Sequence, residues 1–158
     1  MLIYGLGGVA GLAGLGTLAL FVAARLVGPP AALGVRDGRL AECPPTNNCV
    51  STQSGDAIHA IEPIAFRGGL DEARRQVLEV VGAMPRSTML EARSDYIHAL
   101  FRSPTMGFPD DVEFYFDPAA GLIHFRAAAR MGSGDMGANR ARMESIRAAL
   151  APLLQAAK

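Results

Sequence analysis

The chain has no tryptophan, only 6% aromatic residues, two cysteines, and one lysine, Lys158, at its very end. Acidic and basic residues balance at 15 each, so no excess of positive charge is available for duplex nucleic acid, which favours a basic stripe. No nucleic-acid partner is expected. With a single lysine, the cations inside the chain are all arginines. They are permanently charged and suited to planar, two-pronged pairing with carboxylates or phosphates. With only two cysteines, a four-cysteine zinc site is excluded, and five residues between them is too wide for a thioredoxin-like redox pair. The Gly-x-Ser-x-Gly elbow of α/β-hydrolases is also missing, since Gly132-Ser133-Gly134 lacks its spacing.

No charged side chain occurs from Met1 to Ala24. As a helix, residues 2–24 would be roughly 35 Å long, enough for a hydrocarbon core of about 30 Å. The expectation is one membrane-spanning helix over residues 1–27, with the lipid bilayer as partner through residues 2–24. A signal peptide is the rival, but no Lys or Arg precedes Arg25 and the apolar run is long. Gly7 and Gly11 have the spacing of a helix-pairing motif, so self-association is a candidate, as is a membrane or envelope protein partner. Arg25, Arg36 and Arg39 follow the apolar stretch and favour a cytoplasmic domain. Cys43 and Cys49 favour the opposite, extracytoplasmic side, on which the expectation rests. A disulfide, free thiols and a redox switch are all compatible with the Cys43-Pro-Pro-Thr-Asn-Asn-Cys49 run.

Residues 28–39, rich in Gly and Pro, read as a linker, and residues 40–158 as one domain. Ile58–Phe66 reads as a first strand, with Pro63 near an edge or end. Leu70, Ala73, Val77 and Val80 recur at helical spacing, predicting a helix over 70–81 ended by Gly82 and Pro85. Strands follow at 87–92, 96–102, 110–116 and 121–129. Opposing Phe116 to Gly121 pairs Phe114 with Ile123 and Glu113 with His124, sorting apolar from charged side chains onto opposite faces. A last helix starts near Asp135, with Met136, Asn139, Met143, Ile146 and Leu150 in one stripe and Pro152 ending or kinking it. The fold expected is α+β: an antiparallel sheet with two helices on one face (β-α-β-β-β-β-α), preceded by the membrane helix. The other face would carry His98, Leu100, Asp111, Glu113, His124 and Arg126 towards solvent.

Three stretches stand out: Cys43–Ser51; Gly107-Phe-Pro-Asp-Asp-Val-Glu-Phe114; and Phe125-Arg-Ala-Ala-Ala-Arg-Met-Gly-Ser-Gly-Asp-Met-Gly-Ala-Asn-Arg-Ala-Arg-Met-Glu-Ser-Ile-Arg147. Together they resemble the domain-of-unknown-function family numbered 1499, over roughly residues 40–150. The resemblance implies a bacterial or plastid protein, often with an N-terminal membrane segment, and no established reaction, ligand or partner. Ala127, Ala128 and Gly134 stand where the family pattern often has serine.

The densest polar constellation is Arg126, Arg130, Ser133, Asp135, Asn139 and Arg140, with Arg142 beside it. Arginines flanking a Gly-rich turn at a helix start are an anion-binding arrangement. Equally, Asp110, Asp111, Glu113, Asp135 and Glu144 are numerous enough to pair those arginines internally. A catalytic serine, Ser51 or Ser133, would need a histidine among His59, His98 and His124, none in a characteristic motif. His98, His124 and Glu113 on the open face are compatible in geometry with a metal site, but read more simply as polar residues of a solvated sheet face; no metal or cofactor is expected. Met106 and Phe108 mark either a docking tip or a loop folded back on the core. The functional expectation is a non-catalytic binding or scaffold module for a partner protein or an anionic ligand. The alternative is a hydrolytic or metal-dependent enzyme using the polar sheet face or the arginine-rich turn.

Overall fold

The computed structural model describes residue 16 and residues 19–155. After helix α1, described at residues 16 and 19–26, come β1 (Cys49–Ser51), β2 (Ile64–Ala65), α2 (Leu70–Ala83), β3 (Ser87–Ala92), β4 (Tyr96–Arg102), β5 (Pro109–Asp117), β6 (Leu122–Ala129) and α3 (Ala138–Gln155). All pairings are antiparallel, in the order β1-β6-β5-β4-β3. The short strands β1 and β2 pair with successive parts of β6 and form one interrupted edge.

The core lies between one sheet face and two helices. Ala73, Val77 and Val81 of α2, and Met143, Ile146, Leu150 and Leu154 of α3, pack on Ile97, Phe101, Phe114, Phe116, Ile123 and Phe125. These positions recur at three and four in the helices and at two in the strands, as packing on a pleated surface requires. Asp71 and Glu72 sit in the first turn of α2, where negative charge complements the helix dipole.

Four expectations are corrected. Among the described residues no helix is long and apolar enough to cross a membrane. The spanning helix expected over residues 1–27 is therefore not borne out among the described residues, nor is the single-pass placement on the extracytoplasmic side that rested on it. Residues 1–15 and 17–18, including Gly7 and Gly11, lie outside the described residues.

The expected strand 58–66 shrinks to two residues. The Asp56 carboxylate accepts the amides of Ile58 and His59, and the Ala60 amide donates to the Asp56 carbonyl, so a turn occupies the start of that segment. The order is thus β-β-α-β-β-β-β-α after α1.

The β5–β6 register differs by two residues from that expected: Phe114 faces Phe125 and Glu113 faces Arg126. Asp117 Oδ1 accepts the amides of Ala119 and Ala120, and Gly121 takes φ +66°, moving the turn to Pro118–Gly121. An even slip leaves every side chain on its expected face.

The last helix begins at Ala138 rather than near Asp135. Met136, expected in its apolar stripe, has φ +56° and is fully exposed.

Candidate ionic layer and groove

The polar face of the sheet is covered, not solvated. His98, Leu100, Asp111, Glu113 and Arg126 are all buried, and Glu113 is completely so. The cover is the segment 27–44, whose backbone reaches down to the acids and arginines. The Gly34 amide donates to Glu113 Oε1 at 2.8 Å, and Arg130 Nη1 donates to the Val27 carbonyl at 3.2 Å. Further back, Arg102 Nη1 reaches the Ala24 carbonyl at 3.4 Å.

Strand alternation puts Asp111, Glu113 and Tyr115 on this side of β5, with Tyr96 and His98 of β4 and Arg126 of β6 beside them. Two connected units result. Glu113 accepts from the Tyr96 hydroxyl at 2.8 Å, from Gly34, and from Arg126 Nη1 at 3.2 Å. Asp111 accepts from His98 Nε2 at 2.7 Å and is gripped by Nε and Nη2 of Arg130 at 2.8 and 2.7 Å. Burial alone would raise the Asp111 carboxyl, but the bonds from His98 and Arg130 outweigh it and hold it below the usual range. Burial, with the Glu113 carboxylate beside it, pushes the Tyr96 hydroxyl far upward, so it acts here only as a donor. The buried Nε of Arg126 has no acceptor among the described residues.

The residues of the arginine-rich turn do not converge on one point. Asp135 accepts the Gly137 amide with Oδ1 and the Asn139 amide with Oδ2, so its own carboxylate lies over the start of α3. The Ser133 carbonyl accepts the Asn47 amide, and the Asn139 side chain donates to the Asn48 carbonyl. Arg140 donates to the carbonyls of Ile58 and Ala60. Arg142 donates to Asp110 at 2.7 Å and lies over the Phe101 ring on the helix side of the sheet. Arg126 and Arg130 are the two that stay together, at a groove of about 490 Å³ between β6 and the cover, lined also by Asp111, Glu42 and the apolar Val27, Pro30, Pro44 and Ala128.

Cys43 and Cys49 are disulfide-bonded. The loop they close is held at Thr46, whose carbonyl accepts from His59 Nε2 at 3.0 Å, while His59 Nδ1 meets Asp56 at 2.8 Å. Both ring nitrogens therefore face acceptors. The hydrogen bond to Asp56, then that to Thr46, raise the imidazole above its ordinary value. Ser51 accepts the Gln53 amide with its hydroxyl. His124 stacks on Tyr115 and shares a 3.2 Å contact with the Thr52 hydroxyl; burial lowers its pKa. His98, His124 and Glu113 thus turn to different partners, and no group of three potential metal ligands forms among the described residues. Met106 and Phe108 are half-buried, with Ser103 and Phe108 closing their loop through two mutual bonds.

Sequence reasoning missed Tyr96, Gly34 and Gln53, whose side chain accepts the Leu40 amide and donates to the Gly38 carbonyl. Tyr96 shares the two-residue period of His98 and could have been added to that face. Gly34 lies in a segment whose composition reads only as linker.

Sheet, helices and covered ionic layer define a small α+β domain with a disulfide-closed entry loop. The chain belongs to the family described as "Protein of unknown function (DUF1499)", whose model matches residues 39–150. No curated protein matches it.

Proposed function

We propose that this domain holds an anionic ligand, or an anionic group of a partner protein, without transforming it. The observation that carries this reading is the groove beside Arg126 and Arg130, where one buried guanidinium keeps a donor without an acceptor. A buried charged donor left unmatched costs more than a typical satisfied bond contributes, so an incoming acceptor would be favoured there. The alternative of a hydrolase has less support. Ser51 and the three histidines have the partners described above, and none of them forms a nucleophile–base pair among the described residues.

The test is a thermal-shift panel on the full chain with phosphate, sulfate, carboxylates and zinc, run beside chromogenic ester and phosphate-ester assays. At least one anion should raise the melting temperature saturably; a hundredfold excess over Kd stabilises by about 2.7 kcal/mol. No ester should turn over. Turnover removed by Ser51→Ala or His98→Gln would replace this reading with the enzymatic one.

A further inference from the structure

Arg126 and Arg130, at one end of the sheet, use the same donor geometry differently. In Arg130 the adjacent donors Nε and Nη2 hold the Asp111 carboxylate side-on, while Nη1 takes the Val27 carbonyl. In Arg126, Nη1 takes Glu113, and that is the side chain's one acceptor among the described residues. The edge that a carboxylate fills on Arg130 is unfilled on Arg126. The Arg126 side chain is only 9% exposed and lines the groove. Guanidinium groups pair best with planar, two-oxygen acceptors, as Arg130 does here.

The surroundings narrow the ligand further. Arg126 and Arg130 are already balanced by Glu113 and Asp111, so a second negative charge on the ligand would meet two buried carboxylates. The remaining walls are apolar at Val27, Pro30, Pro44 and Ala128, and the exposed Glu42 carboxylate completes the lining, a further charge against a dianion. A volume of about 490 Å³ lies within the range of small-molecule sites. We infer that the groove takes a small aliphatic monocarboxylate, its carboxylate accepting from the Arg126 guanidinium and its chain along those apolar walls. The inference rests on the anion-holding reading above and assigns its ligand.

Calorimetric titration of the full chain with acetate, octanoate, octanol and octyl phosphate tests it. Octanoate should bind saturably and at least tenfold tighter than acetate, with octanol unbound at the same concentrations. Arg126→Lys keeps a charged donor for Glu113 but loses the planar guanidinium, and should weaken octanoate tenfold or more. Gly28 lines the groove, and a Cβ there meets no atom within 4 Å, so Gly28→Leu narrows the groove without touching the arginine. It should weaken octanoate more than acetate. Melting curves establish that each variant is folded; should Arg126→Lys unfold, Gly28→Leu decides. Equal octanoate affinity in wild type and the folded variants would place the ligand elsewhere, overturning this site while leaving anion holding intact. Octyl phosphate bound and octanoate unbound would overturn the carboxylate assignment alone. An acetylated dileucine acid binding tighter than octanoate would move the assignment to a peptide C-terminus and overturn the small-acid ligand. No anion bound at all would overturn both readings.

Discussion

Neighbouring carboxyls on β5 titrate in opposite directions. Asp110, on the helix side, is raised by burial despite Arg142; Asp111, on the covered side, is lowered because His98 and Arg130 together outweigh burial. A depressed carboxyl contributes stability above its unfolded value, about 3.9, and loses it as pH falls through the folded value. Asp110 has the reverse sign: its contribution is present below the unfolded value and is lost as pH rises through the raised folded value. Asp111→Asn leaves the Arg130 guanidinium, 7% exposed, without its counter-charge. The expected loss at neutral pH is about 3–5 kcal/mol in urea unfolding, with Arg130→Gln in the same chain recovering part of it. The loss should shrink as pH falls below the ordinary carboxylate range, where wild-type Asp111 also protonates. The two-residue period already puts His98, Asp111, Glu113 and Arg126 on one face. Their burial was not legible, because the covering segment has no periodicity: it lies on them through backbone groups of Val27 and Gly34.

Among the elements, β3, β4 and both helices follow the apolar spacing closely, while the entry to the sheet does not. There, side-chain capping by Asp56 overrides a run that composition reads as strand, and β1 is too short for any pattern to announce. The same Asp56 holds His59 against Thr46 in the disulfide loop. A histidine raised on folding contributes fully below its unfolded value of about 6.5, and that contribution fades as pH rises through the folded value. Urea midpoints should therefore fall from about pH 6.5 upward, with His59→Gln lowering the acidic end and flattening the slope. An unchanged slope would mean that the imidazole does not change its protonation on folding. The disulfide closes a short loop, with five residues between its ends. By chain entropy, the Cys43→Ser, Cys49→Ser double variant should lose about 2 kcal/mol of unfolding free energy. Combined with His59→Gln, the losses should be less than additive, because both constraints act on one loop.

For the whole molecule, the boundary of sequence similarity and the boundary of packing differ. The family match starts at residue 39, yet Ala24, Val27 and Gly34 supply carbonyls and an amide to Arg102, Arg130 and Glu113. These are backbone groups that no motif marks, although Gly34, at φ +99°, takes a conformation that favours glycine. Their energetic weight comes from what they cover: a bond to a charged group contributes about 1.5–3 kcal/mol, and water is excluded from the ionic layer only while the cover is seated. A chain starting at residue 39 should therefore keep its helix-side core but lose about 2–4 kcal/mol relative to the full chain, by urea unfolding. Amide exchange should separate local from global effects. Lifting the cover exposes the Tyr96–Glu113–Arg126 side of β4–β6, whereas α2 and α3 pack on the opposite face and should retain their relative order of protection. The shortened chain should also lose the groove, because Val27, Gly28 and Pro30 form one of its walls. Full stability together with unchanged anion binding in that chain would show that the cover is incidental, and that residues 39–155 alone organise the ionic layer.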